Sequence, residues 1–202
     1  MKIQNEFSTE IISELKKSIT TKQEVIERNV PLLTEIAKVM HEAFRHGHKL
    51  LIFGNGGSAA DSQHIAAEFV SKFNFDRQAL PAIALTTDTS ILTSISNDYD
   101  YSRVFARQVE ALGKPGDVAL GISTSGNSLN VIEAMRTATE VGLKTIGFTG
   151  LDGGHLKEEA EYCFRVPSNS TPRIQEVHIT VAHALCGLLE TRLCASYIAN
   201  GA

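Results

Sequence analysis

The chain has 202 residues, 43% of them hydrophobic, and a formal net charge of −4, which favours one folded domain and argues against disorder. It contains no run of lysine and arginine, so a groove for nucleic acid is not expected. No segment has the length and hydropathy of a membrane span and the amino terminus has no signal-peptide core, which predicts a soluble cytoplasmic protein.

Residues 1–45 are predicted to form two helices ahead of the first strand. Apolar residues recur at helical spacing in 7–15 and again in 32–44. Pro31 suits the start of the second helix and Gly47 its end. Two apolar-faced helices outside a sheet pack either against another subunit or over the chain's own sheet, and the pattern leaves both arrangements open.

Short apolar runs alternate with helical patterns over the rest of the chain. Such alternation predicts parallel strands joined by right-handed crossovers, and strands that are buried on both faces have continuous apolar runs like these. We therefore predict an α/β protein with a five-stranded parallel sheet, a flavodoxin-like strand order 2-1-3-4-5 and helices on both faces. The predicted strands are 49–54, 81–87, 117–123, 144–150 and 162–166. The predicted helices are 58–73, 89–112 with a break near Asn97, 128–141, a short segment after Gly154, and 173–195.

Two loops, at the carboxyl ends of the first and third strands, are the richest in glycine and hydroxyl groups. In a sheet of this strand order the ligand site lies between those two strands, where the order reverses. The loops are GNGGS, residues 54–58, and STSGNS, residues 123–128. The residue chemistry and the topology thus select the same place for a binding site.

The STSGNS loop is predicted to bind a phosphate monoester. It has more hydroxyl groups than a helix cap requires, and the free N–H groups and dipole at the start of the next helix attract an anion without lysine or arginine. A nucleotide is disfavoured, because Ala59 fills the third glycine position of GxGxxG in the first loop and the lysine of a Walker motif is absent. The hydroxyl-bearing residues are Ser123, Thr124, Ser125 and Ser128.

His64 and Glu68 share one helix face just after the first loop, since they are one turn apart. A metal site or a proton-transfer pair would use such residues, whereas an arbitrary His/Glu pair is more often solvated or satisfied within a core. The last helix adds Gln175 and His183, which fall within about 80° on a helical wheel but about 12 Å apart along the axis. All four reach one centre only if their side chains converge or if neighbouring subunits contribute.

The other histidines and the cysteines are predicted to be structural. His178 lies off the midline of the helix face that carries His183, which leaves it either structural or in support of a site residue. The cysteines have neither paired nor metal-type spacing and suit small apolar fillers in a reducing compartment. Surface positions are predicted for His41, His46, His48 and His155, and filler positions for Cys163, Cys186 and Cys194.

Four segments together resemble the phosphoheptose isomerase family of the sugar isomerase (SIS) domain superfamily. They are GNGGSAADSQHIAAEF, LPAIALTTDTSILTSISNDY, ISTSGNSLNV and RIQEVHI. The resemblance implies a single SIS domain over residues 1–202, a homotetramer with active sites at subunit interfaces, and a small phosphorylated sugar as partner, with no nucleic acid and no membrane. The implied reaction converts D-sedoheptulose 7-phosphate into D-glycero-D-manno-heptose 7-phosphate through an enediol, and its product would feed lipopolysaccharide, capsule or another glycan.

The resemblance also implies roles for individual residues. Glu68 would be the base and His183 the acid of the proton transfer, and each subunit would bind one zinc ion. The family often has Arg at the position of Lys72 and Ala at that of Pro172, but neither change removes an implied ligand. The implied zinc ligands are His64, Glu68, Gln175 and His183. The implied substrate-binding residues are Asn55, Gly56, Gly57, Glu68, Asn97, Asp98, Ser123, Thr124, Ser125, Ser128 and Gln175.

Two other functions remain open at this point. SIS-domain proteins that associate with the replication initiator DnaA are binding proteins, and they typically lack the catalytic pair. Glu68 and His183 are both present here and therefore favour an enzyme. An isomerase of another sugar phosphate, with five or six carbons, would share the same loops.

Overall fold

Five parallel strands form the centre of the molecule, and the computed structural model describes residues 2–194, with side chains from residue 6 onward. The strands are β1 (Leu50–Gly54), β2 (Ala82–Ala84), β3 (Val118–Ile122), β4 (Lys144–Thr149) and β5 (Tyr162–Arg165). Their order in the sheet is β2-β1-β3-β4-β5 and every neighbouring pair is parallel, which confirms the predicted class and strand order. The inner strands β1 and β3 are buried along their whole length, as their continuous apolar sequences predict.

Helices cover both faces of this sheet. They are α1 (Lys2–Arg45), α2 (Gly57–Val70), α3 (Thr89–Asp98), α4 (Ala106–Leu112), α5 (Leu129–Val141), α6 (Leu156–Glu159) and α7 (Thr171–Leu193). Alternate residues of β1 point to opposite faces, so that Leu50 and Ile52 pack with α1, α2 and α7, whereas Leu51 and Phe53 pack with α4, α5 and α6. The sheet therefore separates two hydrophobic cores, and the loops at its carboxyl edge are left to bind ligands.

The prediction of two helices in residues 1–45 is wrong, because α1 is one continuous helix with Pro31 inside it. Pro31 has no N–H to bond the preceding turn, a loss of about 3 kcal/mol in a helix interior. The helix continues because Val25 before the proline and Ile36 after it are buried in the same core. Tertiary packing thus overrides the boundary that the proline indicated.

The predicted break near Asn97 is confirmed. α3 ends one residue later, and a short 3-10 turn separates it from α4. Aspartates cap the starts of α3 and of the 3-10 turn. The side chain of Asp88 accepts a hydrogen bond from the Ile91 N–H at the start of α3, and that of Asp100 accepts one from the Ser102 N–H in the 3-10 turn. The apolar pattern alone predicts one helix over residues 89–112, and the polar residues of this stretch divide it into α3, the 3-10 turn and α4.

The cysteines are free thiols, as predicted. Cys186 and Cys194 are buried and Cys163 is partly buried. Burial raises the pKa of Cys186 to about 12 and that of Cys163 to about 11, so these thiols stay protonated and unreactive near neutral pH. None of the described helices combines the length and the hydropathy that a membrane span requires.

The predicted surface histidines divide into two groups. His46 and His155 are exposed, as predicted. The prediction is wrong in part for His41 and His48, which are partly buried. His48 lies against the edge of the sheet, where its Nδ1 is 3.7 Å from a carboxylate oxygen of Asp117, and 35% of its side chain remains exposed.

His178 lies in the core, with only 1% of its surface exposed. Its ring packs beside Phe148 and Phe164, at centroid distances of 5.5 and 6.2 Å. Its Nε2 is 3.2 Å from the carbonyl oxygen of Thr149, while Nδ1 has no partner among the described residues. Burial lowers the pKa of His178 to about 4 despite that hydrogen bond.

We predict that His178 makes the protein less stable as the pH falls from 6.5 to about 4. The unfolded chain protonates this residue near pH 6.5, whereas the folded protein keeps it neutral until about pH 4, so the unfolded state binds more protons in between. A shift of this size corresponds to about 3 kcal/mol of unfolding free energy. Denaturant unfolding at neutral pH and at about pH 4.5 should show a loss in the wild type that is smaller in His178→Leu.

The exposed His155 provides the control, because His155→Leu should keep the pH dependence of the wild type. Identical pH dependence in wild type and His178→Leu would contradict the prediction.

Candidate active site

The two predicted loops lie side by side at the carboxyl edge of the sheet. β1 leads into GNGGS and β3 into STSGNS, and the strands pair in register up to Gly54 and Ile122. Gly56 has a φ of 55°, a conformation that favours glycine, and α2 begins at the next residue. The structure thus places the glycine-rich and hydroxyl-rich loops next to each other, at the point where the strand order reverses.

The STSGNS loop is held by close backbone packing at Gly126. A Cβ added to Gly126 would lie 2.0 Å from the carbonyl oxygen of Gly153, so a side chain does not fit there. The Leu156 N–H also donates to the Gly126 carbonyl at 2.9 Å. Ser123 donates to Ser128 through their hydroxyls at 3.0 Å, and Ser128 makes no side-chain cap to α5. The hydroxyls of Ser123 and Ser128 therefore lie at the start of α5, where no N-cap side chain occupies the first N–H groups of the helix. Free N–H groups of this kind can bind an anion.

Thr124 and Ser125 occupy the turn of the same loop. Thr124 is partly buried and Ser125 is exposed, and the Ser125 hydroxyl accepts a hydrogen bond from the Asn127 N–H at 3.1 Å. Both residues line a small cavity of about 280 Å³ with Asp152 and Asn169. The loop therefore faces an open, polar space.

Asn55 is oriented by partners that the sequence did not reveal. Its side-chain amide exchanges two hydrogen bonds with the amide of Asn130, each 2.9 Å long, and the Tyr101 hydroxyl donates to its oxygen at 3.2 Å. Asn130 is 4% exposed, so this pair fixes the Asn55 amide at the mouth of the first loop. The signal that could have revealed this pair is Asn130 itself, a polar residue among the buried residues at the start of α5.

His64, Glu68 and His183, three of the four residues that the resemblance implied as zinc ligands, form one cluster. The Nε2 atoms of His64 and His183 are 2.9 Å apart, and His64 Nε2 is 3.1 Å from Glu68 Oε1. One ligand atom from each residue lies within 4.8 Å of the other two, an arrangement that could hold a metal ion. Half of the His64 side chain is exposed, so the cluster is accessible to a small ligand.

Gln175 lies at a different level from His183. A Cβ added to Gly57 would be 2.5 Å from Gln175 Nε2, so the glycine leaves room for this amide at the start of α2. His183 meets His64 about two turns further along both helices. The axial separation expected from the sequence is therefore present, and α2 and α7 run in the same direction.

Asn97 and Asp98 lie at the exposed carboxyl end of α3. The Asn97 amide donates to the Asp98 carboxylate at 2.8 Å. Among the described residues no hydrogen bond joins either of them to the other predicted site residues. A role of these two residues in substrate binding therefore stays a prediction.

Asp61 is a further carboxylate near this cluster that sequence reasoning missed. Burial raises the pKa of Asp61, and positive charge on His64 and on His183 opposes that rise. Asp61 precedes His64 by three residues on the same helix, and this spacing was the signal that could have identified it.

Comparison with known proteins gives a consistent result. The SIS domain family matches residues 15–150. A phosphoheptose isomerase of Roseiflexus sp. (strain RS-1) is 60% identical over 187 residues, which cover 93% of this chain and 95% of that protein. A solved phosphoheptose isomerase of Neisseria gonorrhoeae is 43% identical with a TM-score of 0.86, covering 92% of this chain and 99% of that one. One of Francisella tularensis is 36% identical with a TM-score of 0.87, covering 91% and 97%.

Proposed function

The chain belongs to the SIS domain family, and from its relatives and the geometry of its site we propose that it is an aldose–ketose isomerase acting on a phosphorylated heptose. It converts D-sedoheptulose 7-phosphate into D-glycero-D-manno-heptose 7-phosphate. The observation that carries this proposal is the contact of His64, Glu68 and His183 on α2 and α7, in a chain whose STSGNS loop is suited to a phosphate. We place the reaction in the cytoplasm, where its product would supply nucleotide-activated heptose for a surface polysaccharide.

The phosphate of the substrate would bind the STSGNS loop. Ser123, Ser125 and Ser128 offer hydroxyls there, and the first N–H groups of α5 add donors without a full positive charge. Anchoring the far end of a seven-carbon chain in this way positions its reacting end, so that binding energy lowers the entropic part of the barrier. Asn55 would contact the sugar between the two ends.

The reaction itself is a proton transfer between neighbouring carbons. Glu68 takes a proton from C1 of the ketose, the electrons of that C–H bond form the double bond of an enediol, and the C2 oxygen gains a proton. Glu68 then returns its proton to C2 while the C1 hydroxyl loses its proton and becomes the aldehyde. His183 would exchange protons with the substrate oxygens as the general acid, and the hydrogen bond between its Nε2 and that of His64 orients its ring.

The same residues argue against a binding protein without activity. A protein that only recognises a phosphorylated sugar has no use for a carboxylate and two imidazoles in mutual contact. Here the carboxylate of Glu68 is partly buried and the imidazole of His183 lies within the cluster, as a base and an acid require. The relatives' names agree with an enzyme.

A zinc ion fits the donor set of His64, Glu68 and His183. Two ligands of one tetrahedral zinc ion lie about 3.3 Å apart, and the atom pairs His64–His183 and His64–Glu68 are 2.9 and 3.1 Å apart. When bound, zinc would act as a Lewis acid towards the substrate oxygens.

Gln175 as the fourth ligand stays a prediction, since its amide lies against Gly57. A metal-bound carboxylate is a weaker base, and a metal-bound imidazole nitrogen has no proton to give. Glu68 and His183 must therefore leave the metal during turnover, or the metal occupies only the resting enzyme.

We predict that the purified protein converts the ketose phosphate into the aldose phosphate, detected by chromatography, and that Glu68 and His183 are essential. Glu68→Gln and His183→Ala should each lower kcat about 10²–10⁴-fold, because each removes one proton-transfer group. Glu140→Gln, at an exposed glutamate at the end of α5, is the matched control and should keep full activity. Near-normal kcat in folded Glu68→Gln would remove Glu68 from the role of base.

A second prediction concerns the metal. Elemental analysis should find one zinc per chain in the wild type and little in His64→Ala, while the exposed His155→Ala keeps its zinc. Removing the ion with a chelator should lower activity, and titrating zinc back should restore it. Full activity of protein shown to be metal-free would eliminate zinc from catalysis and leave Glu68 and His183 as a metal-free acid–base pair.

We extend the proposal to a homotetramer assembled through the amino-terminal half of α1. The helix has 44 residues and is about 66 Å long. Thr21 is the first buried residue of its described part, so the preceding half extends beyond its own core. An apolar stripe of this kind on a soluble protein marks an interaction surface. The stripe, called the α1 stripe below, consists of Phe7, Ile11, Ile12, Leu15, Ile19 and Ile26, all more than half exposed.

Light scattering should therefore report four times the mass of one chain. Two charges placed in the α1 stripe, Ile11→Glu with Leu15→Glu, should reduce that mass, because a buried unpaired carboxylate is strongly unfavourable. Glu10→Lys changes the charge by the same amount outside the stripe and should leave the assembly intact. A monomeric wild type at micromolar concentration would refute the tetramer and with it the proposal that active sites lie at subunit interfaces.

A further inference from the structure

A buried ion pair lies behind the proposed catalytic cluster. Arg77 Nε is 3.1 Å from Glu190 Oε1, and both side chains are 1% exposed. Neither residue takes part in the proposed reaction. A buried ion pair is weak evidence for stability, because two well-packed apolar side chains often serve as well. What apolar residues could not supply is the set of hydrogen bonds that this pair makes with its surroundings.

Arg77 binds the carboxyl end of α2. One of its terminal nitrogens donates to the carbonyl oxygen of Glu68 at 2.8 Å, and the other donates to that of Phe69 at 2.6 Å. The last carbonyls of a helix have no partner within the helix and need an external donor. The guanidinium therefore fixes the backbone of the residue that is the proposed base.

Glu190 binds the segment that follows α2. Its carboxylate accepts the N–H of Phe73 at 2.8 Å and the N–H of Asn74 at 2.7 Å. Those bonds place the Phe73 ring 5.6 Å, centroid to centroid, from the imidazole of His183. Gly187 leaves room for the ring, since a Cβ there would be 3.2 Å from Phe73. The ion pair thus contacts the backbone carbonyl of the proposed base, Glu68, and positions Phe73 next to the proposed acid, His183.

We propose that Arg77, Glu190 and Phe73 are positioning residues for the reaction. The ion pair ties the end of α2 to α7, and Phe73 packs against the ring of His183. Together they keep the His183 imidazole in contact with His64 and Glu68. This inference rests on the roles proposed for Glu68 and His183, and it assigns a function to a part of the chain that touches neither the phosphate loop nor the reacting atoms.

The chain contains a matched control for the ion pair. Asp117 is also buried, pairs with Lys49, and accepts the backbone N–H groups of Lys49 and Lys114. It lies at the amino ends of β1 and β3, the edge of the sheet opposite the candidate site. Glu190→Gln and Asp117→Asn are therefore equivalent changes, a buried carboxylate to its amide, and differ in what they anchor.

We expect Glu190→Gln to lower kcat about 10- to 100-fold, the usual effect of removing a group that orients a reacting residue. KM should change by less than about 3-fold, because the phosphate loop is untouched. Asp117→Asn should lose comparable thermal stability and keep kcat per folded enzyme. Equal kcat in the two folded variants would overturn the proposal.

Phe73→Leu tests the positioning of His183 with the ion pair intact. It also tests the proposal if Glu190→Gln does not fold. It should lower kcat, and it should shift the His183 imidazole resonances in a two-dimensional NMR spectrum, where His183→Ala gives the assignment. Glu190→Gln should shift the same resonances and Asp117→Asn should not. Unmoved His183 signals and unchanged kcat in Phe73→Leu would refute the positioning role. The NMR comparison needs no turnover, so it tests the inference even if the protein fails to isomerise the heptose phosphate.

Discussion

The candidate site depends on one packing arrangement, the parallel contact of α2 and α7 in a single register. Gln175 lies over Gly57 at the start of α2, and His183 meets His64 about two turns later. At the end of α2, Arg77 binds the last carbonyls of that helix and pairs with Glu190 of α7, which links the two helices. Sliding α7 by one residue would move its side chains 1.5 Å along the axis and turn its face by about 100°. The two imidazoles would then separate.

The second constraint on the site is the meeting of two helix starts at the carboxyl edge of the sheet. α2 follows GNGGS and α5 follows STSGNS, and β1 and β3 are neighbours, so both helices direct their free N–H groups to one region. Neither loop contains lysine or arginine. A phosphate can therefore be held there by helix dipoles, backbone N–H groups and hydroxyls, without a charged side chain in either loop.

Much of the fold could be predicted because it depends on local patterns. Continuous apolar runs identified the strands, and their alternation with helices indicated a parallel sheet of the flavodoxin-like order that the structure has. Local rules also failed where distant residues intervened. Pro31 indicated a helix boundary, yet the core on both sides of it keeps α1 continuous. Asn130 and Glu190 went unnoticed, because their partners Asn55 and Arg77 lie 75 and 113 residues away along the chain.

The sequence by itself determined which chemical groups are available and where helices would display them. His64 and Glu68 share a face because they are one helical turn apart, a relation that the period of the helix sets whatever the helix packs against. Tertiary structure alone decided that His183, which is 119 residues from His64, completes the cluster, and that Gln175 instead lies over Gly57. Helical periodicity is a local property of the backbone, whereas the register between α2 and α7 follows from many small contacts. Those contacts include the space left by Gly57 and Gly187 and the buried charges of Arg77 and Glu190.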